Sequence, residues 1–94
     1  MPSAKIGDFE IPPKYLDYVI ADISGTVRVA GLISPADPAT AKIRQLAAKD
    51  KGDFIEFECS TSMHQSVGGI AEVQNVELKE EPAGLRFHII LKKQ

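Results

Sequence analysis

The sequence predicts an α+β fold: a mainly antiparallel β-sheet, or a small β-barrel or sandwich, with one α-helix over about residues 38–51 and a C-terminal β-hairpin. Three observations carry this expectation. Leu85, Phe87, Ile89 and Leu91 alternate with Arg86, His88 and Lys92, and Ile55, Phe57 and Cys59 repeat the same two-residue period. Apolar residues recur at helical spacing in one segment, at Ala39, Ile43, Leu46 and Ala47. Between two strand-like runs, Glu81-Pro82-Ala83-Gly84 suits a type I turn with glycine in the left-handed position.

Residues 1–14 read as an extended N-terminal arm, because Gly7, Pro12 and Pro13 break up the isolated apolar residues Ile6, Phe9 and Ile11. A single α+β domain then occupies residues 15–94. From Tyr15 to Ile23 β-branched and aromatic residues dominate, and Leu16, Tyr18 and Ile20 oppose Val19, Ala21 and Ile23, which fits a strand partly covered on both faces. Ser24-Gly25 interrupts the run before a second strand through Val27, Val29 and Ile33, so a hairpin is the simplest arrangement. Asp37 before Pro38 supplies an N-cap side chain followed by the residue suited to a first helical turn, and Gly52 is placed to end the helix. Lys42, Arg44, Gln45 and Lys49 form its basic solvent side. Residues 60–69 are small and polar and read as a loop with a double glycine. In the strand-like run 70–80 the apolar phase changes near Gln74-Asn75, where a β-bulge would restore it.

The totals narrow the function classes. With 94 residues, 44% hydrophobic and 26% charged, the chain has the composition of one globular domain. A domain this short buries roughly 60–65% of its unfolded surface, so help from neighbouring chains is expected. No apolar run approaches the ~18 residues of a membrane span, and the first residues lack the apolar core of a signal peptide, which predicts no membrane association and a cytoplasmic location by default. The net charge of −2, with acids and bases interspersed, offers no field for a polyanion, and no aromatic platform stands among basic residues, so no nucleic-acid partner is expected. The single cysteine, Cys59, has no internal disulfide partner.

Catalytic constellations are absent from the pattern. Cys59 and His64 are the one pairing that suggests a thiolate and an imidazole, but Cys59 shares the apolar face of Ile55 and Phe57 and reads as a core residue. His64 and His88 lack ligand spacing, and His88 stands between Arg86 and Lys92, so neither a metal site nor a cofactor is expected. The serines near His64 lack a nucleophile elbow, and Gly68-Gly69 lacks the lysine of a phosphate loop. The reading is therefore of a protein without enzymatic activity.

The remaining features point to contacts between chains. Candidate interface residues are Phe9, Ile11, Pro12 and Pro13 of the arm, stiffened by its prolines, and Tyr18 and Ile20 on the second face of the first long strand. The run Ile23-Ser24-Gly25-Thr26-Val27, the helix around Ile43-Arg44-Gln45-Leu46, Phe54-Ile55-Glu56-Phe57, Gly69-Ile70-Ala71-Glu72-Val73 and the closing Phe87-His88-Ile89-Ile90-Leu91-Lys92-Lys93 resemble small tail and baseplate proteins of bacteriophages and related contractile injection systems. That resemblance rests on element order. It implies a virion component with a structural role: an oligomer in a ring or stack, held by contacts with copies of itself or with other assembly proteins. The competing expectations are a monomeric adaptor that accepts a peptide on an open sheet edge and, third, an enzyme using Cys59 and His64.

Overall fold

The computed structural model describes residues 1–49 and 51–94. In chain order it contains β1 (Ser3–Ile6), β2 (Phe9–Ile11), a 3-10 turn (Pro13–Tyr15), β3 (Leu16–Ala21), β4 (Thr26–Ile33), α1 (Ala39–Ala47), β5 (Phe54–Ser60), β6 (Ser66–Glu81) and β7 (Gly84–Lys93). The strands form one seven-stranded sheet in the order β2-β1-β5-β6-β7-β4-β3, and every neighbouring pair is antiparallel. The fold is thus a mainly antiparallel sheet with a single helix. The sheet is open, with β2 and β3 as its edges.

Its centre is the C-terminal hairpin. β7 pairs with β6 from Ala71↔Lys93 to Glu81↔Gly84 and with β4 from Thr26↔Lys92 to Ile33↔Leu85. Because strand side chains alternate, Leu85, Phe87, Ile89 and Leu91 all face one side, where they are buried beside Val27, Val29 and Ile33 of β4. β6 contributes Ala71 and Val73 to that side. Its register then slips between Val73 and Asn75, which brings Val76 and Leu78 opposite Ile89 and Phe87. Without the extra residue these two would point outward, so the bulge keeps a sixteen-residue strand in phase with the core.

The helix covers this inner face. Ala39, Ile43 and Leu46 are buried in the same cluster, whereas Lys42, Arg44, Gln45 and Lys49 are exposed. Burying Ile43 and Leu46 contributes about 1.5–3 kcal/mol each. The Asp37 side chain accepts the Ala39 N–H at 2.8 Å, so it caps the helix from the residue before Pro38. Its other oxygen accepts the Tyr15 hydroxyl at 2.5 Å, which ties the helix start to the turn before β3. The helix is shorter than residues 38–51: Ala48 closes it with its N–H directed at Arg44, Gln45 and Leu46 carbonyls, and Asp50 lies outside the described residues.

The N-terminal segment differs from the expected extended arm. β1 and β2 form a hairpin on the sheet, with Ala4↔Ile11 and Ile6↔Phe9, and β1 continues onto β5 from Ser3↔Ser60 to Ile6↔Phe57. Ala4, Ile6 and Ile11 are buried in the core. The isolated apolar residues of this segment are strand residues whose short alternation is hidden by the two-residue turn at Gly7-Asp8, so residues 3–11 belong to the fold. The expected loop 60–69 is also shorter. It closes around Thr61, whose buried hydroxyl accepts the N–H groups of Met63 and Gln65 at 3.2 and 3.1 Å, and β6 already begins at Ser66. Gly68 and Gly69 sit inside that strand.

Two glycines are dictated by close backbone approach. A Cβ on Gly31 would lie 2.1 Å from the Tyr15 carbonyl oxygen and 2.7 Å from Phe87 Cζ, and one on Gly84 would lie 2.1 Å from the Ile33 carbonyl oxygen. Gly31→Ala should therefore destabilise the chain by about 1–3 kcal/mol or more, because the ring of Phe87 and the entry to β3 must both move. Thermal unfolding checks this, with a fall in Tm of about 4–8 °C per kcal/mol expected at this size.

The Tyr15–Asp37 contact also predicts a pH dependence. The Tyr15 hydroxyl, followed by the Ala39 N–H, holds the Asp37 carboxyl below its ordinary value, so the stabilisation is present above the unfolded carboxylate value and is lost as pH falls through the lowered folded one. The same bond raises the Tyr15 hydroxyl, whose contribution is present below its ordinary value and is lost as pH rises through the raised one. Tyr15→Phe should melt lower than the wild type at neutral pH, and the gap should narrow in acid once Asp37 is protonated. Melting curves from pH 7 down to 2 read this directly.

Candidate functional site

The outer face of the sheet is the side turned away from the helix. Across β3, β4, β7 and β6, the register aligns Tyr18, Ala30, His88 and Glu77 in one row. Tyr18 meets the His88 ring edge-on, with centroids 6.3 Å apart at 68°. Together they cover Ala30, which is only 8% exposed although it lies on the outer face. His88 Nδ1 lies 3.7 Å from a Glu77 carboxylate oxygen, and His88 Nε2 is buried with no hydrogen-bond partner among the described residues. Asp17, Tyr18, Glu77, Lys79, Arg86 and His88 rim a shallow groove of about 430 Å³ here. Arg86 holds one side of it, donating to Glu81 at 2.8 Å and reaching Asp17 at 3.4 Å, and its guanidinium keeps the Glu81 carboxyl below its ordinary value.

A second region lies over β5 and β6. Phe54 (63% exposed) stands opposite Glu72, and Ile70 (44% exposed) stands opposite Glu56 in the next row. Phe54 and Ile70 are thus diagonal neighbours on one surface. Glu58 faces Gly68, so the adjoining surface is bare backbone. Lys5, Gly7, Glu56, Glu58, Gly69 and Ile70 line a groove of about 310 Å³ here. Glu56 and Glu58 make no ion pair among the described residues.

The edges of the sheet are less available. The Val19 N–H and carbonyl point outward from β3, and both are occupied by Ser62: its hydroxyl accepts the Val19 N–H at 3.1 Å and its own N–H donates to the Val19 carbonyl at 2.8 Å. β2 at the opposite edge has three residues and ends at Pro12. Short strands, prolines and covered backbone are the ordinary means of closing an edge to further pairing.

The sequence-derived interface residues divide accordingly. Tyr18 and Ile20 lie on the outer face, with Ile20 47% exposed. Ile11 is fully buried in the core, and Phe9 is half-buried against it. Pro12 and Pro13 lead into the turn before β3, where the Pro12 carbonyl accepts the Tyr15 N–H. The Phe54–Ile70 pair was missed because its two halves come from strands related only by register. The alternation of Ile55, Phe57 and Cys59 leaves Phe54 on the other face with Glu56 and Glu58.

Cys59 is buried in the core, and burial pushes its thiol up to about 11, so at neutral pH it is a protonated core residue rather than a thiolate. His64 is exposed on the turn, where its backbone has a φ of 65° and its N–H donates to the Thr61 carbonyl. Among the described residues no group of three or more His, Cys, Asp and Glu side chains could hold a metal ion. No helix among them is long and apolar enough to cross a membrane. Comparison with protein-family models, curated proteins and solved structures finds no match to this chain.

Proposed function

We propose that this protein is a structural subunit of a multi-chain assembly, of the type found in bacteriophage tails or baseplates, and that it acts through contacts with copies of itself. The observation that supports this reading best is the outer face of the sheet. Among the described residues no layer covers it, and it carries Ile20, Phe54 and Ile70 between charged residues. Apolar side chains rimmed by charge are the usual composition of a surface buried against another protein. The element order that resembles small tail and baseplate proteins fits the same role, with a virion as the place of action.

An adaptor binding a peptide along a sheet edge is a weaker reading, because Ser62 already occupies the outward backbone groups of Val19. Chemistry at Cys59 is weaker still, given a buried thiol that remains protonated at neutral pH.

Light scattering on the purified chain across a concentration series tests the proposal. Mass should rise in multiples of 10.2 kDa as concentration increases, and the rise should be smaller at high salt. A mass of 10.2 kDa at every concentration would contradict self-assembly.

A further inference from the structure

Resting on that assembly reading, we infer that the contact is head to tail: the exposed side of α1 in one copy packs on the outer face of β5 and β6 in the next. Two surfaces of this chain are complementary in charge and relief. On the helix side, Lys42 and Lys49 are exposed and form no ion pair among the described residues, whereas Arg44 is held by Glu80 at 2.6 Å. The exposed positions Ala41, Gln45 and Ala48 follow helical spacing beside them, so two alanines and a glutamine run along one side of the lysine pair. The sheet side presents the opposite pattern. Phe54 and Ile70 project from a surface that Gly68 leaves flat, with Glu56 and Glu58 beside them.

Other charges on that patch are already engaged or opposed. Glu72 accepts a hydrogen bond from the Gln74 amide at 2.9 Å and stands opposite Lys92, and Lys5 lies opposite Glu58 on β1. Glu56 faces Ile70 with no cation opposite it, and Glu58 shares Lys5 with Glu10, so the patch keeps an excess of carboxylate that Lys42 and Lys49 match from the other side. A helix laid on an uncovered sheet face completes the layer that the chain itself provides on only one side.

The two surfaces lie on opposite sides of one sheet, since α1 packs on the inner face through Ile43 and Leu46. A contact between them is therefore heterologous. Repeated, it gives a ring if the rotation closes and an open stack if it does not. A contact of ordinary size covers about 800 Å² per partner. The chain exposes 5383 Å², so two such contacts would take roughly a third of its surface.

The test uses two charge-reversed variants of the full chain, Lys42→Glu/Lys49→Glu and Glu56→Lys/Glu58→Lys, each first shown by circular dichroism to melt as a folded protein. In the first, both surfaces are acidic; in the second, both are basic. Each alone should need at least about tenfold more protein than the wild type to reach half-assembly by light scattering. An equimolar mixture should recover the wild-type midpoint, because each variant then supplies the surface that the other lacks. Wild-type assembly with both variants unimpaired, or impaired variants that mixing does not rescue, would overturn the head-to-tail contact and leave the assembly reading standing. A wild type that stays monomeric would overturn both.

Discussion

A seven-stranded sheet has two faces, and the described residues include one nine-residue helix with which to cover them. That shortage governs the rest of the structure. The inner face must supply nearly the whole core, so every strand contributes apolar residues to it: Ile6 and Ile11 from the N-terminal hairpin, Phe57 from β5, Val73 from β6, Phe87 and Ile89 from β7, Val29 from β4 and Val19 from β3. The helix adds Ile43 and Leu46, and the outer face is left to solvent or to another chain. With so thin a core, little apolar surface can be spared for strands out of phase.

Several local features answer this constraint. The bulge at Val73–Asn75 keeps the long β6 in phase, and the absent side chain of Gly31 lets the Phe87 ring lie against the backbone at the entrance to β3. Asp37 joins that entrance to the helix start by accepting from Tyr15 and Ala39. Ser62 then fills the outward groups of Val19, so the β3 edge is satisfied there from within the chain. With that edge occupied, the outer face is the larger unsatisfied surface.

Where a segment decides its own conformation, the sequence showed it. The alternation from Leu85 to Leu91, the phase change at Gln74-Asn75 and the cap at Asp37 are each written within a few residues, and each stands in the structure as read. The N-terminal hairpin was not legible, because three- and four-residue strands are too short to display a period and their stability comes from pairing with β5, some fifty residues away. Gly68 and Gly69 misled for a related reason: glycine favours turns when judged locally, but here both lie in a strand opposite Glu58 and Phe57, and Gly69 keeps there a φ of 129° that glycine adopts without strain. The outward placement of Tyr18 and Ile20 was legible because both faces of their strand are apolar. The patch of Phe54 and Ile70 depends on register between strands, which no single segment contains.

The functional account rests on the sheet having one covered face and on the helix and the bare face carrying opposite charge. Chemical footprinting of the wild type, with a lysine acylating reagent and a carbodiimide at low and at high protein concentration, tests that claim most directly. The account predicts that Lys42, Lys49, Glu56 and Glu58 lose reactivity together as concentration rises, while Lys14, beside the turn at Tyr15, keeps its reactivity. Protection of only one of the two surfaces, or equal reactivity at all four residues whatever the concentration, would contradict it.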